Sequence, residues 1–162
     1  MTSPTRKPSA SEALFNPAFM CLLIVRAAAG HISYGDRPIP IPLAQVAVAA
    51  SLDEGIRLSL THNIASNLTS WIRSNPGQHA RIGRVAPTVV GPFRQGMIFG
   101  LHYGHLSLQQ GRLATGERRT VVRLTGFSED MAACQRAARY MGRWLCKSGS
   151  PSTVLTLLGV RA

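Results

Sequence analysis

The stretch NPAFMCLLIVRAAAG, residues 16–30, predicts the element around which this chain folds. Asn16 followed by Pro17 is typical of a helix start, because an asparagine oxygen accepts an orphan backbone N–H and proline pre-sets the helical φ. Gly30 is the natural stop of this helix. Apolar residues lie nearly all round it, which is the pattern of a buried helix rather than of an amphipathic surface helix. We therefore expect this segment to be the central packing element.

Helical patterns and proline-containing connections alternate after this segment. DRPIPIP, residues 36–42, has prolines at alternating positions, so we expect an extended connector. LAQVAVAASL, residues 43–52, predicts a short buried helix. Apolar spacing over residues 59–74 predicts one further helix, which the following Asn-Pro-Gly ends. Its Trp71 is expected to anchor the core, since large aromatic residues at helical spacing usually face inward.

Prolines divide the helical pattern of residues 78–104. We expect one helix that ends near Val85 and a second that begins at the Gly-Pro pair and ends at Tyr103. Gly104 then follows as the residue that closes the second helix.

The last third of the chain predicts a hairpin and two helices. HLSL (105–108) and TVVRL (120–124) have strand character and flank a turn-rich, basic connection, which predicts a β-hairpin near residues 105–124. Ser128 is a suitable N-cap for a helix that ends at Lys147. Ser152 is the expected cap of a final short helix through Leu158.

These patterns predict a mainly α fold of the α+β class. A chain of 162 residues is long enough for one domain that buries roughly two thirds of the surface exposed by its unfolded chain. We expect a single helical domain over residues 11–162 with the hairpin near residues 105–124, preceded by a flexible, basic N-terminal tail over residues 1–10.

The composition favours a folded, basic protein with a thin polar coat. Hydrophobic residues make up 45% and charged residues 15%, which excludes a disordered chain. The net charge is +11, and sixteen of the 18 basic residues are arginine. Such a charge can attract nucleic acid or an acidic partner. The thin coat also fits a surface covered by another protein or by a second copy of this chain.

The cysteines and the apolar runs predict a cytoplasmic protein. The three cysteines have no CxxC spacing, so neither a zinc site nor a disulfide framework is indicated. The run AFMCLLIV, residues 18–25, is too short to cross a bilayer of about 30 Å. The beginning of the chain lacks a clear signal-peptide cleavage site. We expect no association with a membrane.

Catalytic signatures are missing from the sequence. His102 and His105 are three residues apart, but Gly104 is expected to end the helix between them, and no third clustered ligand follows. No nucleophile elbow, thiol-hydrolase pattern or phosphate-binding loop is present. We therefore expect a non-enzyme without a metal or a cofactor.

The arrangement of helix, hairpin and helix resembles a winged helix-turn-helix, in which basic side chains position the protein on phosphates. The helix that carries the FRQGMIFGLHYGHLSL stretch (93–108) would be the recognition helix, and the hairpin the wing. The same arginines are as often a solvated face or a protein-docking patch. The candidate contacts to nucleic acid or to a partner protein are Arg94, His102, Arg112, Arg118, Arg119 and Arg123.

Five segments in a fixed order carry a resemblance to a known family. They are FNPAFMCLLIVRAAAG, PIPIPLAQVAVAASL, SLTHNIASNLTSWIRSNP, GPFRQGMIFGLHYGHLSL and AARYMGRWLCKSGSPSTVLTLLGVRA. Together they resemble the small middle component of bacterial three-component ABC systems, over roughly residues 11–162. One departure is that Arg57 is followed by LSL, where the family often has Leu-Pro.

The resemblance implies an accessory protein encoded between an ABC-type ATPase and a larger effector or sensor protein. Such systems are thought to act in biological conflict, including defence against phages and other invading DNA. The middle component would be a non-catalytic adaptor that couples the ATPase to the third protein, and the family supplies no catalytic residues. The alternative is a free-standing winged-helix regulator that binds DNA or RNA, whose affinity would fall steeply with salt.

Overall fold

The computed structural model describes residues 16–120 and 126–161. The predicted tail at residues 1–10 lies outside them. The α-helices are α1 (Pro17–Gly35), α2 (Ile41–Leu52), α3 (Glu54–Ser59), α4 (Leu68–Ser74), α5 (Pro76–Val85), α6 (Val90–His102), α7 (Glu129–Lys147) and α8 (Pro151–Leu157). A 3₁₀ turn, Ala86–Val89, joins α5 to α6. The strands are β1 (Ile39–Pro40), β2 (Leu106–Gln109) and β3 (Arg112–Thr115). The described residues therefore confirm the mainly α, α+β class.

The centre of the fold is the packing of α1 against α7. The predicted cap of α1 is confirmed, because the Asn16 side chain accepts a hydrogen bond of 3.0 Å from the Ala18 N–H. The prediction that α1 is buried and central is confirmed too, since it packs against α7 and α6 and most of its residues are buried. Its predicted end is wrong. The helix continues past Gly30 to Gly35.

Gly30 lies inside α1 because it is a packing residue. A Cβ at Gly30 would overlap the Arg139 carbonyl oxygen of α7. In the reciprocal contact, a Cβ at Gly142 of α7 would overlap the Ala27 carbonyl oxygen of α1. The backbones of α1 and α7 are therefore in direct contact at this crossing, which only a residue without a Cβ permits. Glycine at this position indicates a close helix crossing and not a helix end.

Helix α6 packs against α1 on one side only. Gly96 lies against the backbone of Met20 and Cys21, and Gly100 lies against Cys21 and Leu106. Glycines four residues apart share one helix face, so this face is the one that contacts α1 and β2. The predicted end of α6 is confirmed, since the C-cap is Tyr103 and the next residue, Gly104, has a φ of +76°.

A small antiparallel sheet in the order β1-β3-β2 follows α6. The hairpin between β2 and β3 has a two-residue turn, Gln110-Gly111, whose φ angles of +50° and +75° suit the twist of paired strands. The second strand is therefore Arg112–Thr115, inside the segment predicted as a connection. Thr120 lies in no strand, and residues 121–124 of the predicted second strand lie outside the described residues. The predicted connector contributes β1 to this sheet, beside β3.

The helix predicted over residues 59–74 is divided in two. Only α4 forms there, and it begins at the Asn67 cap, whose side chain accepts hydrogen bonds from the Thr69 and Ser70 N–H groups. The residues before it form an irregular loop (60–67) that is tied to α7, because the Trp144 indole N–H donates to the Ser66 carbonyl at 2.9 Å. The apolar residues of this loop and of α4 are spaced as in one helix, and both sets of side chains pack into the same core. The following Asn-Pro-Gly ends α4 as predicted, and its proline is also the first residue of α5.

The C-terminal helices confirm one predicted cap and correct another. The Ser128 side chain accepts from the Met131 N–H, and α7 runs to Lys147 as predicted. The last helix is capped by Ser150 and not by Ser152. Trp71 is a core residue as predicted, and it meets Trp144 edge-on with ring centroids 5.8 Å apart.

Among the described helices, α1 is long and apolar enough to cross a membrane by length and composition. However, 61% of its most apolar window is buried against the rest of the domain. A core helix meets the same criteria, so this property is weak evidence for a membrane span.

Candidate functional site

The predicted contact residues that the structure describes lie in three parts of the fold. Arg94 and His102 lie on the exposed side of α6. Arg118 and Arg119 follow β3 and line a cavity beside α1 and α7. Arg112 lies in β3 and lines a different cleft, and Arg123 lies outside the described residues.

The first candidate surface is a stripe along α6. Val90, Arg94, Ile98 and His102 recur every four residues, so they share one helix face, opposite the glycines that contact α1. Ile98 is 52% exposed. Tyr103 continues the surface, since its ring contacts that of His102 edge-on at 4.7 Å. We call these residues the α6 stripe: Val90, Arg94, Ile98, His102 and Tyr103.

The second candidate surface is a cavity of about 610 Å³, which we call the arginine pocket. Helix α1 contributes Val25, Arg26 and Ala29, and α7 contributes Gln135, Arg136 and Arg139. The chain after β3 contributes Gly116 to Thr120, and the turn after α6 contributes His105. Glu117 is the one carboxylate among these lining residues, against five arginines. The pocket is therefore strongly cationic.

A buried pair of polar side chains crosses from α1 to α7 in this pocket. The Arg26 guanidinium donates to Gln135 Oε1 from Nε at 3.2 Å and from Nη2 at 3.1 Å. Arg26 is 9% exposed and Gln135 is 1% exposed. Because arginine carries only donors, the amide oxygen of Gln135 must face it. The Gln135 Nε2 donor is then buried without an acceptor among the described residues.

The electrostatics of the pocket disfavour a cation and favour an anion. Burial, and then the neighbouring charge of Arg139, lowers the pKa of Arg26 from its usual value. A guanidinium nevertheless stays charged at neutral pH. Arg136 is paired outside the pocket, with Glu129. An anion in the pocket would offset the repulsion between Arg118, Arg119 and Arg139.

The turn after α6 holds the chain that carries Arg118 and Arg119. A Cβ at Gly116 would overlap the Gly104 carbonyl oxygen, so the two segments touch through their backbones. The Gly116 N–H donates to the His105 carbonyl at 2.8 Å, and the Arg118 N–H donates to the Gly104 carbonyl at 3.0 Å. The ring Nδ1 of His105 bonds the Arg118 carbonyl at 3.2 Å. This segment is thus fixed by the end of α6.

The third predicted contact, Arg112, has a different neighbourhood. Its guanidinium donates to the Pro38 carbonyl at 3.5 Å, beside β1. Arg112 and Arg37 line a smaller cleft with residues 149–151. Since the guanidinium is directed to the backbone before β1, Arg112 is separate from the arginine pocket.

The described histidines and cysteines do not assemble a metal centre. His102 is part of the α6 stripe, whereas His105 bonds the Arg118 carbonyl, so the two rings serve different surfaces. Within residues 16–120 and 126–161, no group of three or more His, Cys, Asp or Glu side chains has metal-binding geometry. Burial raises the pKa of the Cys21 and Cys134 thiols to about 11, which makes both poor nucleophiles.

Sequence reasoning missed the α1 and α7 side of the arginine pocket. Arg26 interrupts an apolar run, which is a signal for a buried polar group with a partner. Gln135 and Arg139 are spaced by four on α7, so they share a face. Only the close crossing at Gly30 and Gly142 brings these side chains together, and that crossing was not predicted.

Comparison with known protein families matches residues 5–162 to the family described as ABC-three component (ABC-3C) system Middle Component 3. The match covers nearly the whole chain. The chain belongs to this family. The resemblance inferred from the ordered segments is therefore confirmed, and the protein is a middle component of an ABC-3C system. No curated protein and no solved structure matches the chain.

Proposed function

We propose that this middle component is a non-catalytic, cytoplasmic adaptor that links the ABC-type ATPase of its system to the effector protein. The α6 stripe carries the proposal. It combines exposed Val90 and Ile98, at 38% and 52%, with Arg94 and His102 on an ordered helix whose other face packs in the core. Exposed apolar side chains rimmed by polar ones are typical of a protein-docking surface.

The charge of the stripe and of the whole chain indicates the kind of partner. Arg94 is exposed on the stripe, and the chain carries a net charge of +11. An apolar surface with acidic residues at its rim would complement both features, because complementary potentials speed association and fix register. We propose that the ATPase supplies this surface.

The test is co-purification of the tagged full chain with the ATPase and the effector encoded beside it. Ile98→Glu places a charge in the centre of the stripe, so we expect it to abolish the complex with the ATPase. Leu58→Glu is the matched control, since Leu58 is 76% exposed and belongs to a different helix, α3. It should retain the complex. An Ile98→Glu variant that co-purifies like the wild type, or a wild-type chain that binds neither protein, contradicts the proposal.

The biological role we propose is defence against phages or other invading DNA. In a host that carries the complete system, the wild type should lower plaque counts. Ile98→Glu should remove this protection, and Leu58→Glu should keep it. A system that forms the complex but does not protect would retain the adaptor function and reject the defence role.

Direct nucleic-acid binding is the second candidate function. The order of α6, β2 and β3 favours it, because this is the order of a recognition helix and its wing. Among the described residues, Arg94 and Arg112 are the arginines of this unit. Binding of duplex DNA, measured by anisotropy over a salt series, should weaken and lose salt dependence in Arg94→Ala/Arg112→Ala. Unchanged affinity and slope in this variant reject the second candidate.

A further inference from the structure

The arginine pocket has the features of a ligand site that the adaptor function does not use. It is concave, and its volume of about 610 Å³ falls within the range of small-molecule sites. Five arginines from three separated segments line it, and they are held by the helix crossing and by the backbone contacts at Gly116. Arg118, Arg119 and Arg139 carry like charges that repel one another, and a bound anion would offset this repulsion.

The second observation is a buried hydrogen-bond donor, Gln135 Nε2, that has no acceptor among the described residues. Gln135 is directed by Arg26, which takes its amide oxygen, and its Nε2 donor has no acceptor among the described residues. A buried donor without a partner destabilises the folded state. An oxygen atom of a bound anion is the complement of this donor and of the guanidinium groups around it.

The apolar part of the lining indicates more than a bare anion. Val25 and Ala29 of α1 lie in the same pocket as Arg118, Arg119 and Arg139. Guanidinium groups bind phosphate through two parallel hydrogen bonds and also stack on planar rings. A ligand with a phosphate and a planar, partly apolar body matches both parts of the lining.

We infer that the arginine pocket binds a nucleotide through its phosphate, either as a free nucleotide or as part of a nucleic-acid strand. The phosphate is held by Arg118, Arg119 and Arg139, with Gln135 as a further donor. The base lies against the side formed by Val25 and Ala29. This inference does not depend on the adaptor function, since it concerns the isolated chain.

The experiment is calorimetric titration of the purified full chain with ADP, with AMP, with inorganic phosphate and with a short single-stranded oligothymidylate. We expect ADP or the oligonucleotide to bind more tightly than inorganic phosphate, because only they have the base. ADP binding identifies the free nucleotide as the source. Binding of the oligonucleotide alone identifies the strand as the source.

Two variants test whether the binding uses this pocket. Arg119→Ala removes an exposed guanidinium, so it should leave folding unchanged and weaken binding about tenfold or more, as for a lost hydrogen bond to a charged group. Gln135→Glu keeps the size of the side chain and its contact with Arg26, but it presents a negative charge to the ligand. It should abolish binding while thermal unfolding shows a folded protein.

Arg143→Ala is the matched control. Arg143 lies one turn beyond Arg139 on α7, is exposed and does not line the pocket, yet its loss changes the net charge equally. We expect its affinities to remain within about twofold of the wild type, which is below 0.5 kcal/mol. Three results overturn the inference: no binding of any probe, equal weakening by Arg143→Ala and Arg119→Ala, or inorganic phosphate binding as tightly as ADP and the oligonucleotide.

Discussion

Helices α1 and α6 have similar apolar sequences but different surroundings. Helix α1 is buried nearly all round, between α7 and α6. Helix α6 buries Phe93, Gly96 and Gly100 and exposes the opposite face, which carries Ile98. Hydrophobic content therefore does not decide which helix is central. What distinguishes α1 is that it packs against both α7 and α6, whereas the glycines of α6 mark its one packed face, because glycine allows another backbone to come close.

The difference also separates the two candidate surfaces. The close approach of α1 and α7 places Arg26 against Gln135 in the arginine pocket. The one-sided packing of α6 leaves the α6 stripe open to solvent. One surface is concave and cationic, as for a small anion, and the other is convex and partly apolar, as for a protein.

The largest effect is expected from adding a side chain where the backbones of α1 and α7 touch. In Gly142→Ala the new methyl group would overlap the Ala27 carbonyl, and a helix backbone cannot move aside as a flexible side chain can. We expect a loss of at least about 3 kcal/mol in the free energy of unfolding, measured by urea denaturation.

Gly77→Ala is the control for this substitution. Gly77 lies near the start of α5, and a Cβ there would meet nothing within 4 Å. Alanine should therefore stabilise the protein by about 0.5 kcal/mol. A Gly142→Ala variant that is as stable as Gly77→Ala would show that the α1 and α7 backbones are not in close contact.

The next effect concerns Arg57, which joins α2 and α3 to α7. Its guanidinium donates to the Ser51 and Leu52 carbonyls at 2.9 and 3.3 Å and to the Asp130 carboxylate at 2.8 Å. Arg57→Met keeps the aliphatic stem but removes the donors, so we expect a loss of about 2 to 3 kcal/mol by urea denaturation.

Asp130→Asn measures the contribution of the ion pair apart from that of the hydrogen bonds between Arg57 and the backbone carbonyls. The Asp130 side chain is 40% exposed, so solvent screens the pair and the loss should stay below about 1 kcal/mol. A loss in Asp130→Asn as large as that in Arg57→Met would show that the ion pair, rather than the carbonyl contacts, dominates.

The raised pKa values of two buried cysteines predict that the protein loses stability at high pH. Burial raises the pKa of Cys21 on α1 and of Cys134 on α7 from 9.0 to about 11. The unfolded chain then releases these protons first, so stability is complete below about pH 9 and is lost as the pH rises to about 11. We expect about 2 kcal/mol per thiol. Unfolding of Cys21→Ala/Cys134→Ala over the same pH range should show a shallower decline; an equal slope rejects the assignment to these thiols.

The sequence predicted those elements whose signals are local. The caps at Asn16 and Ser128 were found because an N-cap requires only a side-chain oxygen and the next few residues. The end of α6 was found for the same reason, since Gly104 adopts the positive φ that favours glycine.

The elements that were predicted wrongly depend on distant contacts. Gly30 resembles a helix stop unless the position of α7 is known. The loop before α4 has helical spacing, yet Trp144 holds it from another part of the chain. Likewise, Arg112, Arg118 and Arg119 were expected on one hairpin, but β3 ends at Thr115, so Arg118 and Arg119 line the pocket with residues of α1 and α7. The local spacing of apolar residues contains no information about such long-range contacts.

The smallest effect is expected on the open face of α6. Ile98 is 52% exposed, so Ile98→Glu should change the free energy of unfolding by no more than about 0.5 kcal/mol, as should Leu58→Glu. Both are measured by urea denaturation of the isolated chain. A loss above about 1 kcal/mol in Ile98→Glu alone would mean that the α6 stripe packs within the chain. Unchanged stability, together with a lost complex, would assign the stability of the fold to the glycine faces of α1 and α6 and the binding to the opposite, exposed face of α6.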